Sequence, residues 1–444
     1  MRAELRASLR GPGPTLTSTT DRVPASIRRT AFLLLPFALG AAPSPARAQT
    51  PAQLAARADV RAVLDALKAG NAWTLEQQVA LCEIPAPPFM ETARGLAYKA
   101  AFEKLGLTNV RVDAVGNVIG ERRGTGDGPT VVLAGHLDTV FPEGTDVRVK
   151  NENGRLTGRG IGDDCRGLAV VLATARALQA SSVQVPGTIL FVGNVGEEGP
   201  GNLRGTRHLF DRELAGKIDY FISVDGVGDG LTSRAVGSHR YRVTYKGRGG
   251  HSYGAFGNPN PAHALGRAIA AVADLRVPTT PKTTFNVGIV RGGTSVNSIP
   301  FEASMDIDMR SESARALTAV DAQVQRALRR ALAAENARWP RASDRLTLAI
   351  DTVGIRPAGT QPDTARIVRV ARDAARALGW MPVLTASSTD ANVPIGMGLP
   401  GITIDGGGRG DGAHGLDEWY EDGPRGWLGP QWAALLVLAL AGAR

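Results

Sequence analysis

The chain has 444 residues, of which 43% are hydrophobic and 21% charged, with 54 glycines and a formal charge of +9. That length exceeds what one hydrophobic core usually covers, so two domains are expected, and the composition excludes a disordered chain. The first 48 residues hold seven arginines against Glu4 and Asp21, a net of +5, which leaves +4 for the rest. No Lys/Arg cluster reads as a nucleic-acid surface.

The N-terminal stretch RRTAFLLLPFALGAAPSPARAQT has a basic start, a short apolar run and a small-x-small end at Ala46–Ala48. It reads as a secretory signal over residues 1–48, too short to span a bilayer. The mature protein is therefore expected to be exported, periplasmic or secreted, with no membrane association once the signal is removed. Cys82 and Cys165 are the only cysteines and are expected to be unpaired, partly buried thiols.

Helical apolar spacing covers 53–69, 73–82 and 91–105. NVRVDA and GNVIGER then read as strands, TVVLAGH as a strand ending at His136, and GLAVVLATARALQA as an amphipathic helix. GTILFVGN, DYFISVDG and GITIDGG are further short apolar runs, each closing on Gly, Asn or Asp. Apolar strands alternating with helices predict an α/β domain with a mostly parallel sheet covered on both faces. The pattern changes near Gly237, where SHRYRVTYKGRG, TTFNVGIVRGG and FEASMDIDMR alternate as half-buried strands around two helices. Residues 237–352 are thus expected to form an inserted α+β unit. The catalytic domain comes in two parts, 49–236 and 353–444.

Acids and histidines gather at the ends of separate strands: His136 and Asp138, Glu197 and Glu198, Asp225, and His414. Asp163 and Asp164 open the turn before the helix at Gly167. Ligands of open parallel sheets bind beyond the C-terminal strand ends, so these side chains are delivered to one edge. Two histidines and three carboxylates are nitrogen and oxygen ligands that zinc accepts, and too many for one catalytic ion with an open position. They suit two metals sharing a carboxylate and a water. That arrangement accounts for the adjacent pair Glu197–Glu198, with Glu198 on a metal and Glu197 as general base.

With these motifs the chain resembles the co-catalytic di-zinc peptidase and deacylase family that includes peptidase T, carboxypeptidase G, acetylornithine deacetylase and succinyl-diaminopimelate desuccinylase. GHLDTV, GRGIGDDCRGLA, GEEGPGNLRG and AHGLDEW match in order, and the overall style is nearest to peptidase T-like members. The resemblance implies His136, Asp163, Glu198, Asp225 and His414 as ligands of two zinc ions, with cobalt or manganese as alternatives. Ungapped alignment puts the bridging role on Asp163, and Asp164 stays open because Cys165 stands where relatives often have Lys. Asp138 is implied as the acid orienting His136. The inserted unit is similar to the family's lid and homodimerisation domain. GGHSYG and GGTSVNSIP carry its signatures, which imply His251 as an oxyanion donor to a partner subunit and Asn297 as a substrate contact. Arg310 in DMRS sits where the family grips a substrate carboxylate, and strand alternation sets Asp306, Asp308 and Arg310 on one face.

The function expected from these residues is hydrolysis of the amide bond of short peptides by an exported di- or tripeptidase-like exopeptidase. A hydroxide bridging two zinc ions attacks, and Glu197 moves the proton. An N-acyl amino acid deacylase or carboxypeptidase is the alternative within the class. A non-catalytic peptide- or zinc-binding protein is the alternative outside it, against which the retained Glu197 argues.

Overall fold

The computed structural model describes residues 49–340 and 342–443, so the signal sequence read over 1–48 lies outside the described residues. The first helical stretch is two helices, Pro51–Ala56 and Ala58–Ala69, because Arg57 is extended (φ −68°, ψ 140°) and its guanidinium turns to Asp59. Helices Asn71–Cys82 and Thr92–Lys104 follow.

A nine-stranded sheet organises the catalytic domain. Its centre is the parallel set Ile189–Asn194, Val131–His136, Tyr220–Val224 and Gly401–Ile404, in that spatial order. The flanks pair antiparallel: Val118–Arg122 against Ile189–Asn194 on one side, and Gly230–Ala235 against Gly401–Ile404 on the other. The sheet is therefore mixed, with the parallel core predicted from the strand–helix alternation, antiparallel pairings beside it and Val383–Ser387 added parallel to Gly230–Ala235. Alternation assigns each side chain to a face. Val131 and Leu133 pack with the helices Cys165–Gln179 and Leu428–Leu440, whereas Val132 and Ala134 pack on the opposite face with Leu203, Leu209 and Phe210. Burial on both faces is why these strands read as continuous apolar runs.

The inserted unit is a four-stranded antiparallel sheet with two helices, Pro261–Ala273 and Ala314–Arg338, on one face. Its strands are Gly237–Lys246, Thr283–Gly292, Glu302–Ser311 and Thr347–Arg356. In Glu302–Ser311 the residues Ala303, Met305, Ile307 and Met309 are buried, and Asp306, Asp308 and Arg310 take the other face. The last strand runs to Arg356, beyond residue 352, and this extension carries an arginine into the catalytic domain.

Arg94 connects the fold to the site. Its fully buried guanidinium donates to the carbonyls of Leu137 (2.8 Å), Ile84 (2.7 Å) and Cys82 (3.3 Å), so it fixes the chain just past His136. Replacement of Arg94 by methionine strands these acceptors, each worth about 1–3 kcal/mol when left buried and unpaired. A loss of about 3 kcal/mol or more is expected in denaturant unfolding. A change within about 0.5 kcal/mol, the range of an ordinary surface substitution, would remove Arg94 from this role.

Candidate metal centre

His136 is the last residue of its strand and is fully buried. Its Nδ1 lies 3.0 Å from the Asp138 backbone carbonyl, and the Asp138 carboxylate is further away at 3.6 Å. The orienting contact is thus made mainly by the main chain of Asp138. The carboxylate accepts instead from the N–H groups of Glu197 (3.0 Å) and Glu198 (2.9 Å). This clamp holds the two adjacent glutamates on a fixed turn.

Asp163 and Asp164, joined by a cis peptide bond, have different environments. Asp164 is fully buried and caps the helix Cys165–Gln179 by accepting from Gly167 N–H at 2.9 Å, and it also accepts from His136 N–H at 2.9 Å. A Cβ on Gly167 would come within 2.1 Å of the Asp164 carboxylate, so only glycine fits there. Asp163 points the other way, with Oδ1 3.0 Å from His136 Nε2 and Oδ2 3.1 Å from His414 Nε2. Of the two, it is Asp163 that stands between the imidazoles. Its loop is held by Glu418, which accepts from the N–H groups of Gly160 (2.9 Å), Gly162 (2.7 Å) and Asp163 (3.0 Å).

The remaining predicted ligands flank this pair. His414 Nε2 is 3.3 Å from Glu198 Oε1, and Asp225 Oδ1 is 3.9 Å from His136 Nε2. His414 takes a left-handed backbone (φ 68°), which a non-glycine residue adopts at some cost. His136, Asp163 and Glu198 each offer a ligand atom within 4.8 Å of the others, a set that could hold a metal ion. The donors are nitrogen and oxygen, as zinc prefers. Glu198 Oε1 is buried and, beside the His414 contact, accepts no well-formed hydrogen bond among the described residues, so a cation would satisfy it. The residues present therefore fit a divalent metal.

Charge in the cluster is balanced by protons. His414 is pushed up to about 10 by Asp163 and Glu198, and His136 is raised because Asp138 and Asp163 outweigh the burial that opposes its charge. Burial, with Asp163 beside it, pushes Asp225 up to about 8. Each of these shifts favours the protonated group, whereas ligation requires neutral imidazole and ionised carboxylate. Metal binding is expected to expel these protons, and affinity is expected to rise with pH. Calorimetry of zinc binding near pH 7, in buffers of differing ionisation enthalpy, checks this. Binding without proton release would contradict it.

The cluster opens into a cavity of about 940 Å³ lined by Asp163, Glu197, Glu198, Asp225 and His414, and on the inserted unit's side by Arg240, Asp308 and Arg310. Arg310 Nε donates to Asp308 at 2.8 Å, and Arg240 Nε to the other Asp308 oxygen at 2.9 Å. His251 and Asn297 lie elsewhere. They sit together on an exposed ribbon, where Ser252 N–H donates to the Asn297 carbonyl at 2.8 Å, and neither is among the residues lining this cavity.

Arg356 and Glu418 were not singled out in the sequence. Arg356 is buried, and its Nη1 donates to Glu197 Oε1 at 2.8 Å while Nη2 donates to the Glu197 carbonyl. Burial pushes the Glu197 carboxyl up, with Arg356 and His136 acting against that. Asp390, from the SSTDANVP segment, accepts from Asn194 Nδ2 (2.6 Å) and Thr206 Oγ1 (2.7 Å) in the wall behind the site.

Residues 132–425 match peptidase family M20/M25/M40. Among curated proteins, the chain is 25% identical over 347 residues to the uncharacterised Bacillus subtilis protein YqjE, covering 74% of this chain and 89% of that one. It is 31% identical over 235 residues to carboxypeptidase G2 of Pseudomonas sp., a match spanning 49% of this chain and only 54% of that protein. Among solved structures, aminopeptidase PepT from Bacillus cereus superposes with a TM-score of 0.65 at 22% identity, over 83% of this chain and 97% of that one. That likeness is one of fold, with the same α/β domain and lid-like insertion. Together with the His136–Asp163–Glu198 cluster, the match over residues 132–425 shows that this chain belongs to peptidase family M20/M25/M40, the metal-dependent hydrolases of peptide and amide bonds.

Proposed function

We propose that the chain is an exported di-zinc exopeptidase of short peptides. In this reading His136, Asp163 and Asp225 would hold one ion, and Asp163, Glu198 and His414 would hold the other. The grouping rests on Asp163 lying 3.0 Å from His136 and 3.1 Å from His414, with Asp225 3.9 Å from His136 and Glu198 3.3 Å from His414. When bound, the ions supply Lewis acidity for the scissile carbonyl and lower the pKa of attacking water.

The chain's own residues do the rest. Arg356 engages Oε1 of Glu197, so Oε2 is the oxygen that takes a proton from water and passes it to the departing nitrogen. The observation carrying this reading is the divergence of the glutamate pair. Asp138 pins both N–H groups, Glu198 turns to the histidine–aspartate cluster, and Glu197 turns to Arg356 in the cavity wall. Arg310, which also lines the cavity, suits a free carboxylate, which a peptide C-terminus and an N-acyl amino acid share.

The reading includes a homodimer formed through the inserted unit. Its edge strand Thr283–Gly292 is open on one side and exposes Ile289 and Val290, while Tyr253 and Phe256 are exposed beside the His251 ribbon. A second copy paired on that edge would supply His251 and Asn297 to a cavity they do not line in their own chain. Light scattering should give twice the chain mass, and a fully active monomer would dismiss the role of His251 in a partner's site.

The functional test is incubation of zinc-loaded protein, residues 49–444, with dipeptides, tripeptides and N-acyl amino acids, with products identified by mass spectrometry. Cleavage of the peptides is the expected result. Cleavage of N-acyl amino acids alone would replace the peptidase reading with the deacylase one.

A further inference from the structure

Six carboxylates line the cavity: Asp163, Glu197, Glu198, Asp225, Asp308 and Asp405. Five of them face a cation. Asp163, Glu198 and Asp225 face the two histidines, Glu197 faces Arg356, and Asp308 faces Arg240 and Arg310. Asp405 is the exception. It follows the strand Gly401–Ile404, one strand over from Asp225, and lies outside the ligand cluster. Its Oδ2 accepts from Gly230 N–H at 2.7 Å. The charge acting on it is another acid, Asp229, and no cation opposes the burial that pushes it up to about 7.

Beside Asp229, the groups lining this part of the cavity with Asp405 are hydroxyls. Threonines 232, 385 and 403 stand on three strands in the same part of the cavity wall. Thr232 and Thr385 share a hydroxyl hydrogen bond of 2.7 Å, and Thr403 shares one of 2.6 Å with Thr389. Hydroxyl oxygens retain acceptor capacity after one such bond. A half-buried carboxylate that no cation faces among the described residues is costly alone and favourable when a cation arrives. The arginines that line the cavity already face other acids, Arg240 and Arg310 facing Asp308 and Arg356 facing Glu197.

We propose that Asp405 and its threonines form a subsite for a cationic group of the substrate, an ammonium or guanidinium. This goes beyond the peptidase reading and rests on it for the word substrate, since it names the charge of the peptide taken. The cation is either the peptide's N-terminal amine or a basic side chain. Arg310, already among the cavity-lining residues, is left for the opposite charge.

The test compares lysine-containing dipeptides and tripeptides with their norleucine counterparts, each with a free and an acetylated N-terminus. The wild-type protein should favour the cationic member by about tenfold or more in kcat/KM, mostly through KM. Loss of the preference on acetylation identifies the amine; loss on changing Lys to norleucine identifies the side chain. Asp405→Asn, which keeps a carbonyl oxygen for Gly230, should bring the ratio close to one. Binding of lysine amide against Nα-acetyl-norleucine amide, which carries no cation, reads the same preference by calorimetry without turnover. The subsite is thereby tested even if the chain hydrolyses none of the peptides, an outcome that would count against the peptidase reading instead. Equal treatment of cationic and neutral partners by the wild-type protein in both assays overturns the proposal, as does a preference that survives in Asp405→Asn.

Discussion

Replacing Glu197 with glutamine is expected to lower kcat by about 10²- to 10⁴-fold, the range that a positioned general base contributes. Glutamine keeps the shape and an oxygen for Arg356, and it leaves the Asp138 clamp untouched, because that clamp grips main-chain N–H groups. What it removes is the ability to accept a proton. Metal content should therefore stay at the wild-type value while turnover collapses, and elemental analysis alongside steady-state kinetics separates the two. A variant within about tenfold of wild type would move the base elsewhere, since that falls below the range for such a group.

The second large effect is expected at Asp163. It is the acid whose two oxygens reach both imidazoles, at 3.0 and 3.1 Å. Its replacement by alanine should weaken metal binding by more than the ~10–100-fold that loss of an outer partner costs, and should affect both ions together. Asp164→Asn makes the contrast. That side chain caps a helix and holds His136 N–H from behind, so its loss should lower stability first. Equilibrium dialysis with zinc distinguishes the pair, and an Asp163→Ala protein that still binds metal as wild type would contradict its shared position.

Much of the arrangement was legible because parallel strands buried on both faces advertise themselves. The runs ending at His136, Asn194, Val224 and Ile404 are apolar until they reach the edge, where the polar residues needed for chemistry appear. The alternation in FEASMDIDMR likewise placed Asp308 and Arg310 on one face, and both line the cavity. Long-range partnerships were harder to see. Arg356 ends a strand of the inserted unit and meets Glu197 across 159 positions, and Glu418 reaches back 255 positions or more to hold the Asp163 loop. Neither residue has local periodicity to mark it, since each acts through a single buried hydrogen-bonding group. The flank Thr108–Val112 and Val118–Arg122 was legible in NVRVDA and GNVIGER, and the flank on the far side of the sheet was not. Short strands such as Gly230–Ala235, of sequence GLTSRA, have too little apolar content to stand out. At Asp138 the backbone carbonyl joins the carboxylate beside His136 Nδ1, a main-chain contact that residue type does not report.

We propose that two metal ions held by His136, Asp163, Glu198, Asp225 and His414 support amide hydrolysis. Metal titration of chelator-treated protein, with bound zinc counted by mass spectrometry and peptide hydrolysis followed in the same samples, tests it most directly. Two ions per chain are predicted, with activity absent at zero and complete only as the second is taken up; His414→Ala should stop at one. Full activity in the chelated protein, or saturation with a single ion at full rate, would contradict the account.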